Sequence, residues 1–310
     1  MISRTTNLGQ YMYSNYMLTY NQNKLQDNQY DVMMGKKVSK PSDDPVNTGL
    51  ILNLKKQLTD NATYSKSINT ISSELSTSDT ILGKVTDKLI RAKELAISAA
   101  SESNGDDAIK AVKSELEQTL ASLADMANTK YNGIYIFSGT SNLTKAFTVN
   151  ANDGSIVYSG TRQNQSPYRQ VEIGPDLKVT INESGDKIFG EYDPNNNLSY
   201  GAFGYISEIV NALEQNPADI DIINENIDKI QSSIDEVVNI RTKLGVVAQH
   251  VDEQKELIDS KDINTSEHKT SLEEIDLVDA ITSMVNQKYA LEASMKVSSS
   301  ILSTTLLNYI

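Results

Sequence analysis

Apolar residues recur at alternating three- and four-residue steps over most of the chain, the period of a helix that buries one face. From Pro45 to Ala99, Leu54, Ile68, Leu75, Leu82, Leu89 and Ala96 fall on one heptad line, and Ile71, Val85, Ala92 and Ala99 on the line three places later. This predicts one long helix ending near SESNGDD, where Gly105 supplies a stop and Asp106 or Asp107 a cap for the next. Ile109, Val112, Leu116, Leu120, Leu123 and Ala127 continue the period and close a helical hairpin. A still longer repeat, Ile220, Ile223, Ile227, Ile230, Ile234, Val237, Arg241, Leu244, Ala248, Val251 and Ile258, predicts a second rod helix paired with the first.

Two weaker helices flank these. In residues 1–42, Tyr11, Leu18, Leu25 and Val32 recur every seven residues, but the positions that would complete a seam, around Asn15, Gln22 and Gln29, are polar. After the polar run DINTSEHKTS, a last helix from about Leu272 carries Leu277, Met284 and Leu291 on one line and Ile281, Met295, Leu302 and Tyr309 on another. Lys288, Ser298 and Thr305 interrupt both. One apolar line makes a poor coiled coil, so both ends are expected to order only against further helices.

From Asn128 to about Gly190 the period shortens to two. The runs IYIF, FTV, IVY, QVEI and LKVTI are separated by Gly, Asn and Ser, and Asp153-Gly154 between FTV and IVY signals a hairpin. Helical spacing returns with FGYISEIVNAL. The predicted fold is mainly α with a small β insert (α+β), a long antiparallel coiled-coil rod. Its expected divisions are a terminal helix in 1–42, the halves of the rod in 43–130 and 203–268, a β domain in 131–202 and a second terminal helix in 269–310.

Composition narrows the functional classes. Cysteine is absent, which excludes disulfides, thiolate metal sites and cysteine nucleophiles. A net charge of -13 opposes nucleic acid and anionic membrane as partners. No apolar run approaches the ~18 residues of a membrane span. The start, MISRTTNLGQYMYSNYM, lacks the apolar block of a secretory signal, which predicts a cytosolic chain or one exported without signal cleavage. His250 and His268 have no second ligand at useful spacing, no GxSxG surrounds a serine, and GAFG lacks the order of a phosphate-binding loop. In the insert, Asp153, Glu172, Asp186 and Glu191 are available carboxylates, at no spacing that pairs two acids for glycoside cleavage. No enzymatic activity, metal or cofactor is expected.

The stretch KPSDDPVNTG sets Asp43 and Asp44 between Pro41 and Pro45. Adjacent side chains point apart in helix or strand, and no third ligand lies nearby, so the pair reads as helix punctuation. Pro41 ends one helix, Ser42 and Asp43 turn the chain, Asp44 caps the next helix and Pro45 takes its first position.

With these residues placed, the chain resembles the bacterial flagellin family, most closely its hook-associated, junction-forming type. MMGKKVSKPSDDPVNTGLIL resembles the passage from terminal helix to rod helix. KELAISAASESNGDD followed by NTKYNGIYIFSGT resembles the rod hairpin and the start of the outer domain. DAITSMVNQKYALEASMKVSSSILSTTLLNYI resembles the C-terminal assembly helix. The resemblance implies a structural part of the flagellum at the join of hook and filament, or alternatively a short flagellin, the filament subunit itself. It implies flagellar export without a cleaved signal, self-association in a ring, contacts to flagellin and to the first hook-associated junction protein, and an export chaperone on the C-terminal helix. Leu18, Leu25, Val32, Leu291, Met295, Leu302 and Leu306 are then the expected assembly residues. Arg91 and Glu94, in RAKELAIS, are a possible subunit contact; an ordinary solvated helix face is the alternative. A coiled-coil adaptor or a helical chaperone accounts for the helices and leaves the terminal motifs unexplained.

Overall fold

The computed structural model describes residues 7–101, 105–150, 154–162, 165, 168–215 and 219–307, with side chains from 9 to 300. It divides into a central unit, Asn61–Asp259, and a terminal unit, Met1–Asp60 with Ser260–Ile310. Both boundaries fall inside long helices: α2 spans Pro45–Ala99 and α6 spans Ile220–Glu273.

In the central unit α2 and α6 run antiparallel. Lys93 Nζ donates to Gln231 Oε1 at 2.8 Å, and Arg241 Nε donates to Asp79 Oδ1 at 2.8 Å. From Ile68 onward the two predicted lines of α2 are buried, Ile68, Leu75, Leu82, Leu89 and Ala96 beside Ile71, Val85, Ala92 and Ala99, whereas Leu54, in the terminal unit, is half-buried. On α6 the buried line is Ile223, Ile230, Ile234, Val237, Ile240, Leu244, Val251 and Ile258. Ile240, and not Arg241, holds the core position. Val237, Leu244, Val251 and Ile258 keep the count of sevens on either side, so the departure is local. Arg241 lies over Gly83, its guanidinium carbon 3.7 Å from where a Cβ would stand, and reaches Asp79 from there.

α3 (Asp106–Ala127) completes the hairpin and buries Leu116, Leu123 and Ala127. Its N-cap is Gly105, in extended conformation and without a side-chain bond. Asp106 and Asp107 stand one step further on, in the first turn, where their charge faces the positive end of the helix without capping it. Nor does α6 stop at DINTSEHKTS. Helix continues to Glu273, and α7 (Leu277–Leu307) begins five residues later than Leu272. That run holds no Gly or Pro, so its polarity reports solvent exposure and not a break.

The β region lies between α3 and α5 (Gly201–Glu214) in the sequence. β1 (Lys130–Tyr131) and β2 (Ile134–Tyr135) form a hairpin turned by Asn132 and Gly133, with φ of 48° and 83°. A four-stranded antiparallel sheet is ordered β3 (Phe147–Val149), β4 (Ile156–Tyr158), β7 (Glu191–Asp193), β8 (Leu198–Tyr200). β5 (Gln170–Gly174) and β6 (Leu177–Thr180) pair separately, and α4 (Gly185–Phe189) precedes β7. Phe147 pairs with Tyr158 and Val149 with Ile156; Asp153, in the expected turn between them, lies outside the described residues.

The chain has four phenylalanines, and all of them meet here. Phe137, Phe147, Phe189 and Phe203 pack with Tyr158 at centroid separations of 5.1 to 5.6 Å, mostly edge to face. Asn128, just past α3, closes the β3 edge: its amide donates to Phe147 O at 3.1 Å and accepts from Phe147 N at 2.9 Å. Gly190 and Gly201, both at positive φ, let two chain segments touch. A Cβ on Gly190 would overlap the Tyr200 carbonyl and come 2.5 Å from Gly201 Cα.

The insert is tied to α2 by a buried ion pair. Arg169 donates to both oxygens of Glu74, at 2.6 and 3.2 Å, with side chains 17% and 4% exposed. Removing one partner strands the other charge, which costs about 3–5 kcal/mol, whereas an apolar replacement of both costs far less. Glu74→Ala is therefore expected to lower the denaturant midpoint of the central unit strongly, and Glu74→Leu with Arg169→Met to recover most of the loss. Chemical denaturation of the three chains checks this.

Candidate functional site

The terminal unit pairs α1 (Asn7–Met34) with α7 antiparallel. Leu18, Leu25 and Val32 are half-buried along α1, with Tyr11 still 45% exposed. The second line of the seam is Ser14, Asn21 and Asn28, one residue before the exposed Asn15, Gln22 and Gln29. Across from them α7 turns inward Met284 and Leu291 on one line, and Ala280, Gln287 and Ser294 on the other. The polar line is hydrogen-bonded. Asn21 Nδ2 donates to Ser294 Oγ at 2.6 Å, and Gln287 Nε2 donates to Asn21 O at 3.3 Å and Oδ1 at 3.2 Å.

Among the described side chains of α1 and α7, only Ala280 is buried. Much of the apolar surface points away from the seam. On α1, Tyr16, Tyr20, Tyr30 and Met34 are exposed on the opposite side. On α7, Leu277, Val278, Ile281, Val285, Tyr289 and Met295 form a second exposed face, so Met295 lies outside the seam that holds Leu291. A groove of about 450 Å³ runs beside the seam, where Tyr13, Met17 and Val297 flank the small Ser14, Ala293 and Ser294. Leu302 and Leu306 fall in the last turns of α7, where side chains lie outside the described residues.

α1 ends at Met34, with Gly35 at φ 68° as its stop and Gly35 N donating to Asp31 O at 2.8 Å. The helix therefore ends well before Pro41, because a residue free to adopt positive φ arrives first. The segment after it pairs with the break between α6 and α7. Ile275 N donates to Gly35 O at 3.2 Å and Lys37 N to Glu273 O at 2.9 Å. Glu273, with 5% of its side chain exposed, receives Lys36 at 2.7 Å and Lys55 at 3.0 Å on one oxygen and Lys269 at 3.8 Å on the other. Burial pushes the Glu273 carboxyl up, but hydrogen bonds from Lys36 and Lys55 outweigh it and hold the group below its ordinary value.

Asp43 and Asp44 serve separate turns. Asp43 Oδ2 accepts from Lys40 N at 2.8 Å and Ser39 N at 3.2 Å, and these N–H groups hold its carboxyl below the usual carboxylate range. Asp44 Oδ1 accepts from Val46 N at 3.1 Å and Asn47 N at 2.9 Å, so it is the N-cap of α2, with Pro45 at the first helical position. Among the described residues no group of three or more His, Asp or Glu could hold a metal ion, and no helix is long and apolar enough to cross a membrane.

Arg91 is held within the central unit, donating to Glu115 on α3 at 2.9 Å and to Glu94 at 3.3 Å. Both Arg91 and Glu94 remain half-exposed, between the exposed Ile90 and Ile97. The insert carboxylates are separately engaged. Glu191 is buried and binds Arg162 (Nη1 to Oε1 2.6 Å, Nη2 to Oε2 3.0 Å), Asp186 accepts from Ser184, and Glu172 is exposed opposite Lys178. The Glu273 joint had no sequence signal beyond scattered lysines, since its partners are far apart in the chain.

The bacterial flagellin N-terminal helical region matches residues 6–142, and the bacterial flagellin C-terminal helical region matches residues 227–310. Flagellar hook-associated protein 3 of Escherichia coli (strain K12) is 25% identical over 278 residues, covering 84% of this chain and 85% of that protein. Two solved structures share the fold. A chain from Vibrio parahaemolyticus described as a flagellar hook-associated protein has a TM-score of 0.65 at 19% identity, covering 75% of this chain and 100% of its own. Flagellar hook-associated protein-3 from Legionella pneumophila has a TM-score of 0.61 at 17% identity, covering 72% and 98%. With both of its helical ends matched, over more than half its length, the chain belongs to the bacterial flagellin family.

Proposed function

We propose that this protein is a structural component of the flagellum, the hook-associated type that joins hook to filament, and that it acts by polymerising through its terminal helices. The observation that carries the reading is the α1–α7 pair, which buries only Ala280 among its described side chains while exposing apolar faces on both helices. Exposed apolar surface of this extent on a paired element marks an interaction site. The hook-associated protein of Escherichia coli, matched over most of both lengths, supports the junction role over that of a filament subunit.

In this reading Leu18, Leu25, Val32 and Leu291 hold the pair together, and Met295, with Leu302 and Leu306, faces neighbouring subunits in a ring. Residues 1–42 and 269–310 are the assembly helices, 43–130 and 203–268 the rod, and 131–202 the insert. The partners are flagellin on one side and the first hook-associated junction protein on the other. Export runs through the flagellar route, to which a chain without cysteine is suited because no disulfide can trap a folded loop, and a chaperone holds α7 until assembly. The protein performs no catalysis.

Met295→Asp and Ile281→Asp place a charge on an exposed face and are expected to leave folding within about 0.5 kcal/mol of the unsubstituted chain. Both should nonetheless abolish filament attachment in complementation, because the charge would be buried unpaired between subunits. Normal attachment by both would remove α7 from the interface. The Arg91→Ala, Glu94→Ala double variant tests the rod contact in the same assay, and unchanged attachment would assign these residues to the internal Glu115 network alone. Deleting the gene in its motile source strain should give bare hooks with flagellin in the medium, seen by electron microscopy and immunoblot. Bare hooks without released flagellin would instead identify the filament subunit.

A further inference from the structure

The assembly reading leaves the joint of the terminal unit unexplained. Two interhelical segments, residues 35–44 and 274–276, meet there across a bridge of two main-chain hydrogen bonds, Ile275 N to Gly35 O and Lys37 N to Glu273 O. A pairing that short has little stability of its own. Glu273 lies at its centre, and the groups facing it come from three directions: Lys36 from the connector, Lys55 from α2 and Lys269 from α6. Lys37 Nζ donates to Ser271 O at 2.9 Å, and Glu274 adds negative charge beside Lys36. Isolated surface ion pairs contribute little. Here the acid is buried and the three lysines repel one another, so the cluster is held together by that one carboxylate.

The geometry points to Glu273 as a positioning residue for assembly: its carboxylate, shared by Lys36, Lys55 and Lys269, locks the joint so that α1 and α7 are presented to neighbouring subunits in one orientation. The purpose of the lock rests on the assembly reading; its existence does not. Its charge dependence has a definite sign. A carboxyl held below its ordinary value of 4.5 stabilises the joint fully above that value and ceases to do so as pH falls through the lowered one. The joint is closed at neutral pH and opens in acid.

Glu273→Gln keeps the shape and removes the charge. In the full chain at neutral pH, hydrogen exchange at the Lys37 and Ile275 amides should accelerate by at least about tenfold, with Val85 and Leu89 of the central unit unchanged. Lys36→Gln, which leaves Lys55 in place, should give an intermediate rate. The unsubstituted chain, corrected for intrinsic exchange, should lose protection at these amides as pH is lowered below 4.5, and the Glu273→Gln chain should show no such step. Complementation with Glu273→Gln should yield fewer attached filaments. Equal exchange in the two chains, or an acid step that survives Glu273→Gln, overturns the lock whatever happens to assembly. Faster exchange with undiminished attachment overturns the positioning role. If Met295→Asp and Ile281→Asp also attach filaments normally, the assembly reading has failed, and exchange still decides the lock.

Discussion

Two helices joined along a seam with one apolar line apiece bury too little surface to stay folded by themselves, and the rest of the terminal unit answers to that constraint. A fully buried aliphatic side chain contributes about 1.5–3 kcal/mol, and Leu18, Leu25, Val32, Met284 and Leu291 are only half-buried. Ordering the backbone costs roughly 1–2 kcal/mol per residue, and α1 alone has 28 residues. The polar line contributes direction more than stability. Asn21 finds partners for its amide only opposite Ser294 and Gln287, so a slip of one turn leaves it unsatisfied. The pair thus has a specified register and a small margin of stability, a combination suited to helices that order when neighbours arrive.

The central unit shows the opposite balance. Its helices bury continuous Ile, Leu, Val and Ala lines on facing sides, and its polar contacts sit at the margins of that core or tie separate elements together. Arg241 is such a marginal contact: it lies over Gly83 at ordinary van der Waals distance and reaches Asp79 from the edge of the core. The insert depends on different chemistry. Four phenylalanines with Tyr158 pack beside the buried Ile136, Ile156, Ile173, Ile181 and Ile188, while Glu74 and Arg169 fasten it to α2.

Helix existence was legible wherever period and apolar content agreed, as from Leu54 to Ala99. What failed was position along the chain. Arg241 for Ile240 and Asn15 for Ser14 are both one-residue errors of face and not of period, since Ser14, Asn21 and Asn28 keep a spacing of seven, as do Leu244, Val251 and Ile258. DINTSEHKTS failed differently, because a polar run without Gly or Pro marks an exposed helix as readily as a loop. β7 and β8 escape notice because EYD and LSY are only three residues each, too short for their alternation to register, although the confinement of all four phenylalanines to 67 residues points to a compact core there. At the site, the residues of Asp43 to Pro45 could be placed from local spacing alone. Glu273 could not, because its meaning lies in Lys36 and Lys55, more than 200 residues away, that only the fold brings to it.

Charge distribution bears on how such a chain can assemble at all. Copies carrying a net charge of -13 repel one another, and packing them side by side multiplies that repulsion. The repulsion is not spread evenly. α1 carries only Lys24, Asp27 and Asp31, and α7 only Asp279, Lys288, Glu292 and Lys296, so the pair stands within one unit of neutrality. The segments with the most exposed apolar surface and the least buried core are therefore also those with almost no net charge. Nearly all the acidic excess lies in the remaining elements, where it keeps free chains apart without opposing contact between the terminal helices. For the proposed assembly, contact between copies is then cheapest at α1 and α7 on two independent grounds, desolvation and electrostatics, and both follow from the positions of a few side chains.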